Sequence, residues 1–204
     1  MTLYEFLKTH NNRENHNLGM EFGKFLYNIH NEEPDSKIDC YENFNTKANY
    51  LFYMHGVSEY IGDDDYILID YINHNKHLTK NLETSPIIGK VNIKNLDISV
   101  DNQFLIKSNE IGDSSFDFVN INEAALVSSD FANGVIDSYF CNRKIPIKFY
   151  RLLSLYQAYL ILDSMVTFRN GKQADISNDE IKELLEMYDH FNQYVPTWIG
   201  AVAK

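Results

Sequence analysis

The sequence predicts a mainly α-helical chain that carries one small β-hairpin. Two observations lead there. Apolar residues recur at helical spacing, as in Leu18, Phe22, Phe25, Leu26 and Ile29, which share one helix face. The pair Asp101-Asn102 sits between short runs at 97–100 and 104–107 and tolerates the positive φ of a tight turn.

The elements follow in order. Asn17 is placed to cap a helix that runs to about Asn31, and Glu33-Pro34-Asp35 breaks it. A second helix reads over 38–61, with Tyr41, Phe44, Ala48, Leu51, Phe52 and Tyr60 at apolar positions. Tyr50, Phe52, Tyr53 and Tyr60 read as core rather than as a base-stacking platform, since nothing basic interleaves them. Gly62 and Asp63-Asp64-Asp65 make an acidic turn, with Asp65 as cap for a helix over 66–82. Pro86 ends helical structure, and the hairpin follows. Asp113 or Ser114 then caps a helix over 115–127, and Asp130 starts another that ends near Cys141. Pro146 fits the first turn of a long helix to about Phe168, where a missing N–H costs nothing. Asn170-Gly171 ends it, and Ser177 with Glu180 has capping-box spacing for the last helix.

Composition narrows the function classes. The 204 residues fit one compact domain, 1–204, and a 44% hydrophobic fraction can fill a core. The net charge of -11 argues against nucleic acid, which needs clustered Lys and Arg. Cys40 and Cys141 lack metal or redox spacing and read as reduced thiols of a cytoplasmic protein. No signal peptide and no membrane span are expected; the longest apolar stretch, 149–166, is broken by Arg151, Gln157 and Asp163.

The stretch 88–118 reads IGKVNIKNLDISVDNQFLIKSNEIGDSSFDF. It resembles the catalytic and metal loops of the aminoglycoside phosphotransferase and choline-kinase-like family, which has a protein-kinase-like fold. That family carries His-Gly-Asp-x-His-x-x-Asn, a short hairpin, an Ile-Asp and, seven residues past that Asp, Gly-Asp. Here Gly89 holds the Gly place, Asn92 the second His place, Asn95 the Asn place and Gly112-Asp113 the closing pair. Lys90 stands at the catalytic Asp place and Leu105 at the metal-binding Asp place. Leu18-Gly19, Phe25-Leu26-x-x-Ile29-His30, Asp70-Tyr71-Ile72-x-x-Asn75, Phe131-Ala132-x-Gly134-x-Ile136-Asp137-x-Tyr139-Phe140 and Pro196-Thr197-Trp198 extend the likeness. The resemblance implies the large lobe, or C-lobe, of that fold, with a loop segment at 88–118 and a helical part at 129–198. The β-rich small lobe, with its Gly-rich nucleotide cover, has no counterpart in this sequence.

The resemblance also sets expectations for the site. In the family the Asp accepts the substrate hydroxyl proton, while the Asn and later Asp hold Mg²⁺ against the nucleotide phosphates. A charged ammonium at Lys90 accepts no proton, and Leu105 offers Mg²⁺ no oxygen. No catalytic residue and no metal site are therefore expected, and Lys90, Asn95 and Leu105 are vestigial positions. Lys90 and Lys107 are candidate anion contacts or plain surface lysines. Asn95 is a possible metal ligand or a tie within the loop; Asn92 is a backbone tie. Asp113 reads as a helix cap, and Asp117 as a side chain that bonds the loop and fixes its shape. His74-x-x-His77 falls on one helical face but lacks a third zinc ligand.

The expected function is that of a degenerate relative, a pseudokinase that binds or interacts without catalysis and needs no cofactor. The alternative is an active phosphotransferase on a small hydroxylated or cationic substrate, using ATP and Mg²⁺ with rearranged residues or a small lobe supplied in trans. Loss of the small lobe would uncover apolar surface and favour a homodimer or a protein partner there. Leu3, Phe6 and Leu7 are either that patch or, if residues 1–10 fold back as a helix, its cover.

Overall fold

The computed structural model describes residues 1–58, 62, 65–99, 104–108, 110–141, 143–174 and 176–199. Its elements in chain order are α1 (Leu3–Thr9), α2 (Asn12–His30), α3 (Cys40–Gly56), α4 (Asp65–Asn75), β1 (Ser85–Ile87), β2 (Glu110–Gly112), α5 (Val119–Ala125), α6 (Ser129–Tyr139), α7 (Ile147–Arg169) and α8 (Asn178–Met187). Short 3-10 turns cover Lys76–Thr79 and Ser114–Phe118. The chain is thus mainly α with one small antiparallel sheet, as the sequence predicts. No helix among the described residues is long and apolar enough to cross a membrane.

The chain divides into two compact units. The first comprises Met1–Lys37, Glu83–Pro146 and Thr197–Lys204; the second comprises Ile38–Leu82 and Ile147–Pro196.

The first unit is built on α2 against α6. Asn11, not Asn17, caps α2, and Asn11 with Glu14 forms a reciprocal capping box that satisfies two orphan N–H groups. Leu18, Phe22 and Leu26 on α2 are buried, as are Phe131, Ala132 and Val135 on α6. Two glycines allow the close approach. A Cβ on Gly19 would overlap the Phe131 carbonyl, and one on Gly134 would overlap that of His16. The first residues fold back. Thr2 and Glu5 form a capping box for α1, Leu3 N–H donates to Leu96 O at 2.7 Å, and Ile98 N–H donates to Met1 O at 3.0 Å. Leu3, Phe6 and Leu7 are consequently buried, which corrects their reading as an exposed patch. Burial contributes about 2 kcal/mol per large apolar side chain, which favours the docked helix over an exposed one.

The strands lie elsewhere than expected. Ser85, Pro86 and Ile87 pair with Gly112, Ile111 and Glu110. At the expected hairpin the described residues make one bridge, Ile98 with Phe104, supported by Leu105 N–H to Asp97 O at 3.3 Å. The expected turn at Asp101-Asn102 lies outside the described residues, as do Tyr60, Asp63 and Asp64.

In the second unit, Asp39 caps α3 by accepting from Tyr41 N–H and Glu42 N–H. Phe44, Ala48, Leu51 and His55 form the buried stripe of α3. Tyr50 and Tyr53 are 66% and 64% exposed, against their reading as core: the buried face is set by Phe44, Ala48 and Leu51, and they lie off it. Phe52 is half-buried. Asp65 is the first residue of α4 rather than a cap before it. Its carboxylate accepts from His55 Nε2 at 2.9 Å, Gly62 N–H at 3.1 Å and both terminal nitrogens of Arg169. Burial alone would raise its pKa, but Arg169, Gly62 and His55 together hold it below the ordinary carboxylate value. Leu152, Leu153, Leu155, Ile161 and Leu162 bury α7, and Ser177 with Glu180 caps α8. His74 and His77 are each tied through Nδ1 to a backbone carbonyl of the preceding turn.

Candidate functional site

The segment after β1 is shaped by one buried carboxylate. Asp117 Oδ2 accepts from Ile88 N–H and Oδ1 from Gly89 N–H, both at 2.9 Å. Gly89 has φ +76°, so the chain turns there through a backbone region that side chains disfavour. One helical turn on, Asn120 holds the next residues: its Oδ1 accepts from Val91 N–H at 3.0 Å, and its Nδ2 donates to Gly89 O at 2.9 Å. Asp117 and Asn120 are 0% and 1% exposed. Buried polar side chains that meet backbone groups in this way hold one loop conformation, because losing a partner would leave a buried group unsatisfied.

Glu123 stands one further turn along. It meets the Lys90 ammonium with both oxygens, Oε1 at 2.5 Å and Oε2 at 2.6 Å. Lys90 Nζ also lies 3.4 Å from Val91 O. The side chains of Lys90 and Glu123 are mostly buried. The charge that the sequence suggested as an anion contact is therefore already neutralised from within the chain. Leu105 is 69% exposed and presents hydrocarbon to solvent. Lys107 and Asn95 are exposed. Asn92 turns inward on the loop, accepting from Lys94 N–H at 2.9 Å. Asp113 caps the 3-10 turn by accepting from Ser115 N–H at 3.3 Å.

Behind Asp117 runs a line of hydrogen bonds. His30 Nε2 meets Asp117 Oδ2 at 2.9 Å, and His30 Nδ1 meets the Tyr139 hydroxyl at 2.8 Å. Burial pushes the Tyr139 phenol up to about 12; Ser114 lowers it by hydrogen bonding, and Asp113 and Asp117 raise it further by their charge. The end of α2, the start of α5 and the end of α6 thus converge on the two backbone amides of Ile88 and Gly89.

Sequence reasoning placed Asp117 near this loop but gave no site role to His30, Asn120, Glu123 or Tyr139. The available signal was spacing: Asp117, Asn120 and Glu123 recur every third residue, which puts three polar side chains on one helical face. Lys90, Asn92, Asp113 and Asp117 come together around one loop. Asn95, Leu105 and Lys107 do not join that hydrogen-bonded cluster among the described residues. Nor does any group of three His, Cys, Asp or Glu side chains there suit a metal ion.

No family model matches the sequence. No curated protein matches it either. Solved structures do match the fold. One is the crystal structure of the aminoglycoside phosphotransferase APH(2'')-Ib bound to ADP, at a TM-score of 0.58 and 17% identity. The match covers 91% of this chain and 67% of that one. At that identity the likeness establishes a kinase-like fold and no more.

Proposed function

We propose that this chain is a pseudokinase: a kinase-like protein that binds or interacts without transferring phosphate. The carrying observation is the Lys90–Glu123 pair. Where the resemblance puts the proton-accepting Asp, the loop holds an ammonium whose charge is spent on its neighbour. Phosphoryl transfer rests on a positioned base and on oxygen ligands that clamp Mg²⁺ to the phosphates. Leu105 supplies no such ligand, and Asn95 alone is a neutral, exposed amide. The residues present do not fit a Mg²⁺–nucleotide pair, and no step is routed through one.

The loop is nonetheless kept in shape by Asp117, Asn120 and His30, which supports a retained docking or structural use. A protein partner or a second copy belongs to this reading, though not through the buried Leu3, Phe6 and Leu7. One observation favours the rival reading, an active phosphotransferase. Glu123 does bring a carboxylate to the loop, and a rearrangement that freed it from Lys90 would supply a base.

Calorimetric titration with ATP, with and without Mg²⁺, tests the proposal. It expects no Mg²⁺-dependent binding in the micromolar range. Micromolar binding that requires the metal contradicts it.

A further inference from the structure

A cleft of about 750 Å³ opens between α1, the first half of α2 and residues 98–99. Clefts of about 300–1,000 Å³ hold small organic molecules. Its walls are set before any ligand arrives. Backbone hydrogen bonds tie Leu3 to Leu96 and Met1 to Ile98, and Asn15 Nδ2 donates to Leu7 O at 3.0 Å. Phe6 and His10 stack with ring centroids 3.7 Å apart, which braces α1. A preformed site avoids the ordering cost of binding.

The lining combines an apolar part with two acids. Phe6, Leu18 and Ile98 supply apolar surface, while Glu14, Asn17 and Glu21 line it from α2. Spacings of three and seven residues put those three polar side chains on one helix face, with the two carboxylates about 10 Å apart along the axis. Each carboxylate has one oxygen engaged: Glu14 Oε2 accepts from Asn11 N–H, and Glu21 Oε1 meets Lys24 Nζ at 2.8 Å. Among the described residues no donor is seen on the other oxygen of either. The lining contains no Lys or Arg, and its basic groups are the His10 imidazole and the Met1 amine.

We propose that this cleft binds a small organic cation, an ammonium group carried on an apolar or aromatic body. The body lies on Leu18 and Ile98, and the ammonium meets the free oxygens of Glu14 and Glu21. An anion of the same size would bring like charge against both carboxylates and is rejected. The proposal is independent of the chemistry at Lys90: it holds whether or not that loop is catalytic.

The test uses the full chain, amide-resolved NMR, benzyltrimethylammonium chloride as probe and sodium phenylacetate as the anionic control. The expected result is saturable shifts at Asn17, Leu18 and Ile98 with the cation only. The double variant Glu14→Gln, Glu21→Gln should weaken binding about tenfold, the scale of losing charge-assisted contacts. Gln at position 14 keeps the capping box, so α2 still starts correctly. Should that variant not fold, salt decides instead: added NaCl should weaken binding to the parent chain, since exposed ion pairs are screened. Absence of saturable shifts with the cation, salt-independent binding, unchanged affinity in a folded double variant, or equal binding of phenylacetate overturns the proposal.

Discussion

Lys90 Nζ lies within 2.6 Å of both carboxylate oxygens of Glu123, so the ammonium and the carboxylate satisfy each other across one turn of the loop. The pair has a mechanical consequence as well as a chemical one. It fastens the loop to α5 at the position where a transferase needs a free carboxylate.

Restoring an aspartate should therefore do harm without restoring chemistry. Lys90→Asp sets two carboxylates against each other in a mostly buried site. Breaking a buried pair costs about 3 kcal/mol. Chemical denaturation should show a loss on that scale, and the variant should still turn over no ATP, because Leu105 remains. A variant as stable as the parent would show that the pair does not fasten the loop.

The glycines of the α2–α6 contact make a second prediction. Gly134→Ala puts a methyl group into the His16 carbonyl, and neither backbone can yield without separating the helices. Overpacking of this kind costs about 1–3 kcal/mol. Gly56→Ala is the control, since nothing lies near a Cβ there. It should be neutral to stabilising, because Ala is the better helix former. Thermal unfolding of the two variants checks this; equal melting temperatures would contradict the close packing.

Tyr139 predicts a feature of the alkaline limb. Its folded pKa, about 12, lies above the ordinary value of 10.0. The folded state thus holds the phenolic proton more tightly than the unfolded one. The stability this confers is fully present below pH 10 and is lost as pH rises from 10 towards 12. Tyr139→Phe should flatten that part of the pH–stability curve, and should also cost about 1 kcal/mol at neutral pH through the lost bond to His30. An unchanged alkaline slope would show that the phenol does not titrate in this way.

Much of this was legible in the sequence, and the misses have physical causes. Ser177 with Glu180 announced α8 because a capping box is local chemistry. Gly89 and Asp117 were readable because the turn and its carboxylate are fixed by residue type. The start of α2 was missed because Asn11 and Asn17 are equally good caps, and only α1 folding back decides between them. Tyr50 and Tyr53 were misread because aromatic character does not say which face of α3 is inward. Glu123 went unnoticed since its role depends on Lys90, thirty-three residues away in sequence. Asp65 behaved as a hub because Arg169 arrives from the end of a distant helix.

The central claim is that the loop at Lys90 carries out no phosphoryl transfer, and a turnover assay tests it most directly. Purified chain is incubated with ATP, with and without Mg²⁺, alone and with aminoglycosides or choline-like amines as acceptors, and ADP release is followed beside an Asn95→Ala variant. The account predicts a rate at the buffer blank in every arm, identical for parent and variant. Mg²⁺-dependent ADP release by the parent that disappears in Asn95→Ala would contradict it.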